Sequence, residues 1–402
     1  MSTTLLDLHP DVFHAIAGNL SIEDYYSLSL VNRHLRALLT DDHCVRHCIK
    51  HNLSSSIEGR AVTRHGQGYW QSISRIHQQR EALKYADPYS VSQIADVESF
   101  LYADGALVYL TPGQSTVRIL DLCKRGQEEK VLSRAFIISK LSREASTDAS
   151  YIDWDLQLRA YKDDIVCVSA TRGRRLRGFL LAFDVSEGDQ QERCLLCAPL
   201  PEYGVRKLQV VSNKQYLYYC WPNRPRYWDP RDGRAHWSAH GFHLRNAASR
   251  DTNSLNTATC YASGDTLGKQ EAHSSDFFSS KWIQREPFQL CGLSGLDVGT
   301  TIAFTIFDDH FIAVSNAKPV DCRGSEHLSP YNCYYHYVMF PLDDRHPSIR
   351  TKFITRRNND EGVIHDSWTR MSFGVDEVTG KLLLTEARRE WKTNTEDKME
   401  AG

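Results

Sequence analysis

The chain has no surplus of charge of either sign: 48 Lys and Arg stand against 50 Asp and Glu, a net charge of -2 over 402 residues. That balance argues against a general electrostatic binder of nucleic acid or of a membrane surface, so a partner should be read by shape. No apolar run approaches the roughly eighteen residues that a spanning helix needs. The opening "MSTTLLDLHPD" lacks a basic region followed by an apolar core, so no secretory processing is expected, and the sequons at Asn19 and Asn52 carry no expected meaning. The 11 cysteines lack the regular spacing of a disulfide scaffold. Free thiols in a reducing cytosol or nucleus are the expectation. Chemistry is missing too. There is no Gly-x-Ser-x-Gly elbow, His-Glu-x-x-His, phosphate-cradling Gly-x-x-x-x-Gly-Lys or dinucleotide fingerprint. "GLSGLDVG" at 292–299 is glycine-rich but lacks the helix and lysine of a phosphate site. No catalytic residue, cofactor or metal is assigned, and the chain is read as a non-enzyme.

What is present is enough apolar surface to fold: hydrophobic residues make up 41% and aromatics 10%. A chain of 402 residues exceeds what one small core serves, which predicts two unequal domains and linkers. The first fifty residues read as short amphipathic helices. Pro10 suits a first helical turn, with Asp11 at the positive helix end. Val12, Phe13, Ile16 and Leu20 fall near one face. Ser21 with Asp24 three residues on forms a capping-box pattern that opens a second helix through Tyr25, Leu28 and Val31. Leu35, Leu38 and Leu39 continue as a third. Three helices this short cannot bury so many apolar side chains among themselves, and the excess implies a partner surface.

Residues 5–39 resemble the F-box. The matching positions are Leu6, Leu8, Pro10 and Val12, then Ile16 and Leu20, Ser21 and Asp24, and Leu28, Leu30, Val31, Arg33, Leu35 and Leu38. His9 stands where a first proline is common, and Leu35 where many members carry tryptophan. The resemblance implies a trihelical module that docks a Skp-type adaptor and, through it, the cullin of a ubiquitin ligase. The adaptor-binding residues it implies are Leu6, Leu8, Pro10, Val12, Ile16, Leu20, Leu28, Val31 and Leu35. The alternative for the same residues is the core of a small helical domain.

Residues 41–52, "DDHCVRHCIKHN", place His43, His47 and His51 on one helical stripe and repeat the spacing at Cys44 and Cys48. A straight helix offers too few ligands for a tetrahedral ion, and no second cluster follows at ligand spacing. A structural helix is expected, capped by Asp41, ending near Asn52 and buried through Val45, Cys48 and Ile49. Cys194 and Cys197 form a lone CxxC.

Residues 54–87 read as a polar hinge and a connecting helix. Beyond Pro88 short β-branched and aromatic runs take over, among them "ALVYL", "TVRILDL", "DIVCVSA", "GFLLAFDV", "QYLYYCW", "TIAFTIF" and "YYHYVMFPL". They recur in similar pairs with a period of roughly 45 residues, as four-stranded propeller blades would. A propeller-like domain is therefore expected over 88–391, with a β-sandwich as the alternative. Trp228 and Asp229 stand without an upstream Gly-His. The polar stretch 245–281 reads as an insertion, "RGRRLR" at 172–177 as a turn between strands, and 392–402 as a charged tail. Tyr331, Tyr334, Tyr335 and Tyr337 line a recognition groove or pack within a strand. "DEVTG" and "EARREW" near the end resemble F-box proteins of filamentous fungi.

The fold class expected is thus α+β and multidomain, with a small helical domain at 1–53 and an all-β domain after it. The function that follows from the resemblance is substrate recognition for a cullin–RING ubiquitin ligase, the β-domain holding an unknown target protein in the cytoplasm or nucleus, with no nucleic acid and no membrane. The alternative is an adaptor-bound scaffold outside any ligase.

Overall fold

A computed structural model of the chain describes residues 8–66, 68–88, 91, 93–113, 116–122, 129–145, 154–172, 177–186, 193–201, 207–223, 236–244, 280–283, 286–294, 301–316, 333–344, 346–357 and 364–390. Six helices come first: α1 (Pro10–Gly18), α2 (Ile22–Val31), α3 (Arg33–Leu39), α4 (Asp42–Asn52), α5 (Ile57–His65) and α6 (Tyr69–Tyr85). Such short helices need their free amides satisfied locally, and the sequence supplies the groups. The Ser21 hydroxyl accepts from the Asp24 amide at 3.1 Å and donates to the Asp24 carboxylate at 2.8 Å. Asn32 accepts from Leu35 N, Asp41 from His43 N and Ser56 from Gly59 N. Pro10 occupies the first helical position, where no amide is missed.

The helical core does not stop at residue 53. Phe13, Ile22, Tyr25, Leu39 and Ile49 share one cluster with Val62 of α5 and with Tyr69, Ile73 and Ile76 of α6. The last three recur at helical spacing, so α6 presents one apolar stripe to α2 and α4. The stretch expected as hinge and connector is therefore the missing cover of the first helices.

The β-region is a series of antiparallel meanders, each built from consecutive strands. The first sheet holds β1 (Ser99–Ala103), β2 (Ala106–Leu110), β3 (Val117–Asp121) and β4 (Lys130–Leu132). The second holds β5 (Asp155–Lys162), β6 (Ile165–Arg172), β7 (Arg177–Asp184) and β8 (Arg193–Pro199). The third holds β9 (Gln209–Ser212), β10 (Tyr216–Asn223) and β11 (His236–Leu244), with β12 (Ser280–Trp282) and β13 (Phe288–Ser294) both paired to β11. The fourth holds β14 (Ile302–Phe307), β15 (His310–Ser315), β16 (Cys333–Pro341) and β17 (Arg350–Arg357), and the fifth is the hairpin β18 (Ile364–Val375) and β19 (Leu382–Glu390). One helix, α7 (Arg134–Ala145), interrupts the strands between β4 and β5. The region is thus not purely β: Ser133 caps Phe136 N, and Ile137 and Leu141, one turn apart, are buried against the first two sheets.

Neighbouring sheets share cores in chain order, the first with the second, the second with the third, the third with the fourth and the fourth with the fifth. Their first strands β1, β5, β9, β14 and β18 run beside one another. Among the described residues no strand pairing joins the fifth sheet to the first. One hydrogen bond repeats in four sheets. The residue that ends or directly follows the third strand donates its amide to a carbonyl in the first hairpin turn: Leu122 to Gly105, Val185 to Asp164, Leu244 to Gln215 and Leu342 to Asp309. Three of those turns are tight, with Asp104, Gly105, Asp163, Asp164 and Asp308 at positive φ, where short polar residues and glycine are tolerated.

The two regions touch through the last hairpin. The turn between β18 and β19 lies against the loop after α4: Ser55 N donates to Glu377 O at 3.0 Å and the Ser54 hydroxyl to Val378 O at 3.5 Å. Asp376 holds this turn by accepting from Val378 N and from the Thr379 hydroxyl. Most of 245–281 and 172–177, all of 392–402, and Trp228, Asp229 and Tyr331 lie outside the described residues.

Candidate functional site

The helices sort the expected docking residues into three groups. Val12 and Ile16, one turn apart on α1, are 47% and 41% exposed, and Val31 at the end of α2 is 67% exposed. Leu30, which matches the F-box pattern but was not assigned to docking, is 62% exposed beside it. Leu8, Leu20 and Leu28 are half-buried, the last two packed against the helical core. Leu35 is a core residue at 4% exposure, inside the helical cluster rather than on its surface. Pro10 starts α1, and Leu6 lies outside the described residues.

The exposure is not a failure of packing. The core beneath is complete: Tyr25 and Leu39 are fully buried, and the Tyr25 hydroxyl donates to Leu39 O at 2.7 Å. Tyr26 of α2 stacks on Trp70 and on His77 of α6, with ring centroids at 5.7 and 4.2 Å. Isolated exposed apolar side chains are ordinary on a soluble surface. Two on one helix face and two adjacent at a helix end, over a filled core, leave apolar surface on the elements whose pattern predicts docking.

α4 is a structural helix as its spacing predicts. Asp41 caps it and Cys44, Val45, Cys48 and Ile49 are buried. His43 lies 5.2 Å from the His14 ring, and a Cβ on Gly18 would fall 2.1 Å from His47 Nδ1, so both histidines face α1. Among the described residues no group of three His, Cys, Asp or Glu is placed to hold a metal ion. Cys194 and Cys197 both lie against the core of the first two sheets, because a bulge between the Ala182 and Phe183 pairings turns two residues three apart to one face. Neither forms a disulfide among the described residues. Among the described residues no helix is long and apolar enough to cross a membrane.

No protein-family profile and no curated protein matches the chain. Among solved structures it is similar to the WD40 domain of SCAP from fission yeast, at TM-score 0.31 and 10% identity, over 67% of this chain and 54% of that one. It is also similar to the GH93 alpha-L-arabinofuranosidase of Fusarium graminearum, at TM-score 0.31 and 11% identity, over 70% of this chain and 72% of that one. A prolyl endopeptidase gives a TM-score of 0.23 at 10% identity, over 92% of this chain and 61% of that one. The chain thus spans about half the length of the WD40 structure it matches.

Proposed function

We propose that the N-terminal helices dock a Skp-type adaptor, and that the β-region is an open propeller-like stack that carries a target protein to a cullin–RING ubiquitin ligase. The observation that supports docking is the exposure of Val12, Ile16, Leu30 and Val31 over a core that needs none of them. Apolar side chains in that position gain from being covered, roughly 25 cal/mol for each Å² removed from water. The propeller reading draws on the row of first strands and on Lys162, whose ammonium reaches Ile306 O at 3.2 Å. That contact joins the second sheet to the fourth, so the stack curves around its first strands. In this role the protein accelerates transfer by proximity, holding a target lysine near an enzyme supplied by other subunits.

The test is co-purification with a Skp-type adaptor and a cullin, for wild type and for Val12→Asp/Ile16→Asp. Recovery of both proteins with wild type and loss of both with the variant is the expected result. Equal adaptor recovery by the two proteins refutes docking through α1. Adaptor without cullin points instead to the scaffold outside a ligase.

A further inference from the structure

Among the described residues the fifth sheet has two strands where each of the others has at least four. Its second strand, β19, pairs with β18 along one edge and with nothing along the other among the described residues. Leu383, Thr385 and Ala387 of β19 are exposed. A backbone edge of this kind is a template for one more strand.

The hairpin also fails to cover the sheet it rests on. In the fourth sheet Tyr335 and Tyr337 of β16 face the hairpin, and the Tyr335 hydroxyl donates to Glu386 of β19 at 2.6 Å. The register continues that face outward onto β17, with Ile354 opposite Tyr335, Lys352 opposite Tyr337 and Arg350 opposite Met339. Side chains directly opposite in an antiparallel pair share a face. Ile354 is 47% exposed, and Arg350 and Lys352 are exposed, with no ion-pair partner for either among the described residues. An apolar side chain and two unpaired cations therefore line the floor just beyond the free edge of β19.

We infer that the edge of β19 and the outer face of β16–β17 form a docking groove for an extended acidic peptide of a partner protein. The peptide adds a third strand to the hairpin, its backbone pairing with β19. Carboxylates on its inward face meet Arg350 and Lys352, and an apolar side chain covers Ile354. Charge complementarity selects an acidic strand over a basic one. The groove lies on the β-region and does not rest on the adaptor reading; it is measured without any adaptor.

The experiment uses the full chain and labelled, end-capped peptides of alternating Glu and Val, of the same 9-residue length as β19. Fluorescence anisotropy is read for this peptide, for the Lys–Val counterpart, and for the Glu–Val peptide N-methylated at alternate residues. Binding of the Glu–Val peptide alone, weakened about tenfold by Arg350→Glu/Lys352→Glu and weakened by salt, is the expected result. Circular dichroism melting of the double variant confirms that it folds; if it does not, Lys352→Glu alone takes its place. Equal binding of the Lys–Val or the N-methylated peptide, or binding of none of the three, overturns the proposal. Concentration-dependent dimers in sedimentation that Thr385→Pro abolishes overturn it too, since a second copy then takes the edge.

Discussion

The Arg80 guanidinium on α6 donates to the Glu377 carboxylate at 3.0 Å, joining the helical unit to the last hairpin turn across 297 positions of sequence. Its other terminal nitrogen donates to Glu23 of α2 at 2.8 Å. One side chain thus ties together the second helix, the sixth helix and the end of the β-region. All three side chains are more than a third exposed, so solvent screens the pairs and each is worth about 0.5 kcal/mol.

Arg80→Ala is expected to lower stability modestly and to weaken its acid dependence. Burial alone would raise the Glu23 pKa, but the hydrogen bond from Arg80 and one from the backbone outweigh it, and the group lies below its usual 4.5. A carboxylate with a depressed folded pKa contributes stability above its unfolded pKa and loses it as pH falls through the folded value. Urea denaturation at neutral pH and again below pH 4.5 checks this: the gap between wild type and Arg80→Ala should shrink in acid.

Gly380 closes the turn that meets the helices, at φ +69 and with a Cβ position 2.9 Å from Ser55 Oγ. Gly113 has φ +71 but nothing within 4 Å of its Cβ position. Both alanine variants should lose about 1 kcal/mol to left-handed strain. Gly380→Ala should lose more, and Ser55→Gly should restore only that extra part. Equal losses for the two glycines would show that the close approach to Ser55 has no energetic weight.

The Arg356–Glu386 pair is the buried counterpart of the Arg80 bridge. Its side chains are 2% and 6% exposed, and Glu386 accepts from Arg356 Nε at 3.0 Å as well as from Tyr335. Removing one partner leaves a buried charge, so Glu386→Ala should cost roughly 3–5 kcal/mol, while Arg356→Met/Glu386→Leu should cost far less. Denaturation midpoints of the two variants decide it.

Thiol chemistry should follow burial. Burial pushes Cys48 and Cys167 up to about 12 and Cys220 well above the usual thiol range. These remain neutral thiols in mildly alkaline buffer and should resist iodoacetamide until the chain unfolds. Cys194 and Cys197 are only half-buried and should be alkylated before Cys48, Cys167 and Cys220, which peptide mass spectrometry reads directly.

Leu35 and Val31 distinguish folding from the proposed docking. Leu35→Ala should cost about 2–4 kcal/mol as a cavity in the helical core. Val31→Glu should leave the melting temperature nearly unchanged and reduce adaptor recovery. Loss of stability in both variants would place Val31 in the core.

Local signals in the sequence carried well where they had local causes. Ser21 before Asp24 and Asp41 before α4 each specify a cap within a few residues, and each stands where its pattern predicts. Composition likewise separated the helical start from the strands. The sequence was less legible where the cause is distant. Leu35 fits a docking stripe as well as a core stripe, and the core position is fixed only by a cluster that reaches along the chain to Ile76 of α6. α7 was missed because its apolar pair, Ile137 and Leu141, lies in a stretch flanked by strand-like runs. The Arg80 bridge and the uncovered face of β17 come from segments that no local pattern relates.

The amide-to-carbonyl bond repeated at Gly105, Asp164, Gln215 and Asp309 has a consequence for how such a chain diverges. Its acceptor is main chain, so glycine, aspartate and glutamine serve equally, and the donors Leu122, Val185, Leu244 and Leu342 share only an apolar character. Descent from duplicated units would then survive in the atoms every residue possesses while the lettering drifts beyond recognition. Kinship of this kind is recoverable by superposing turns and is lost to any comparison of side chains.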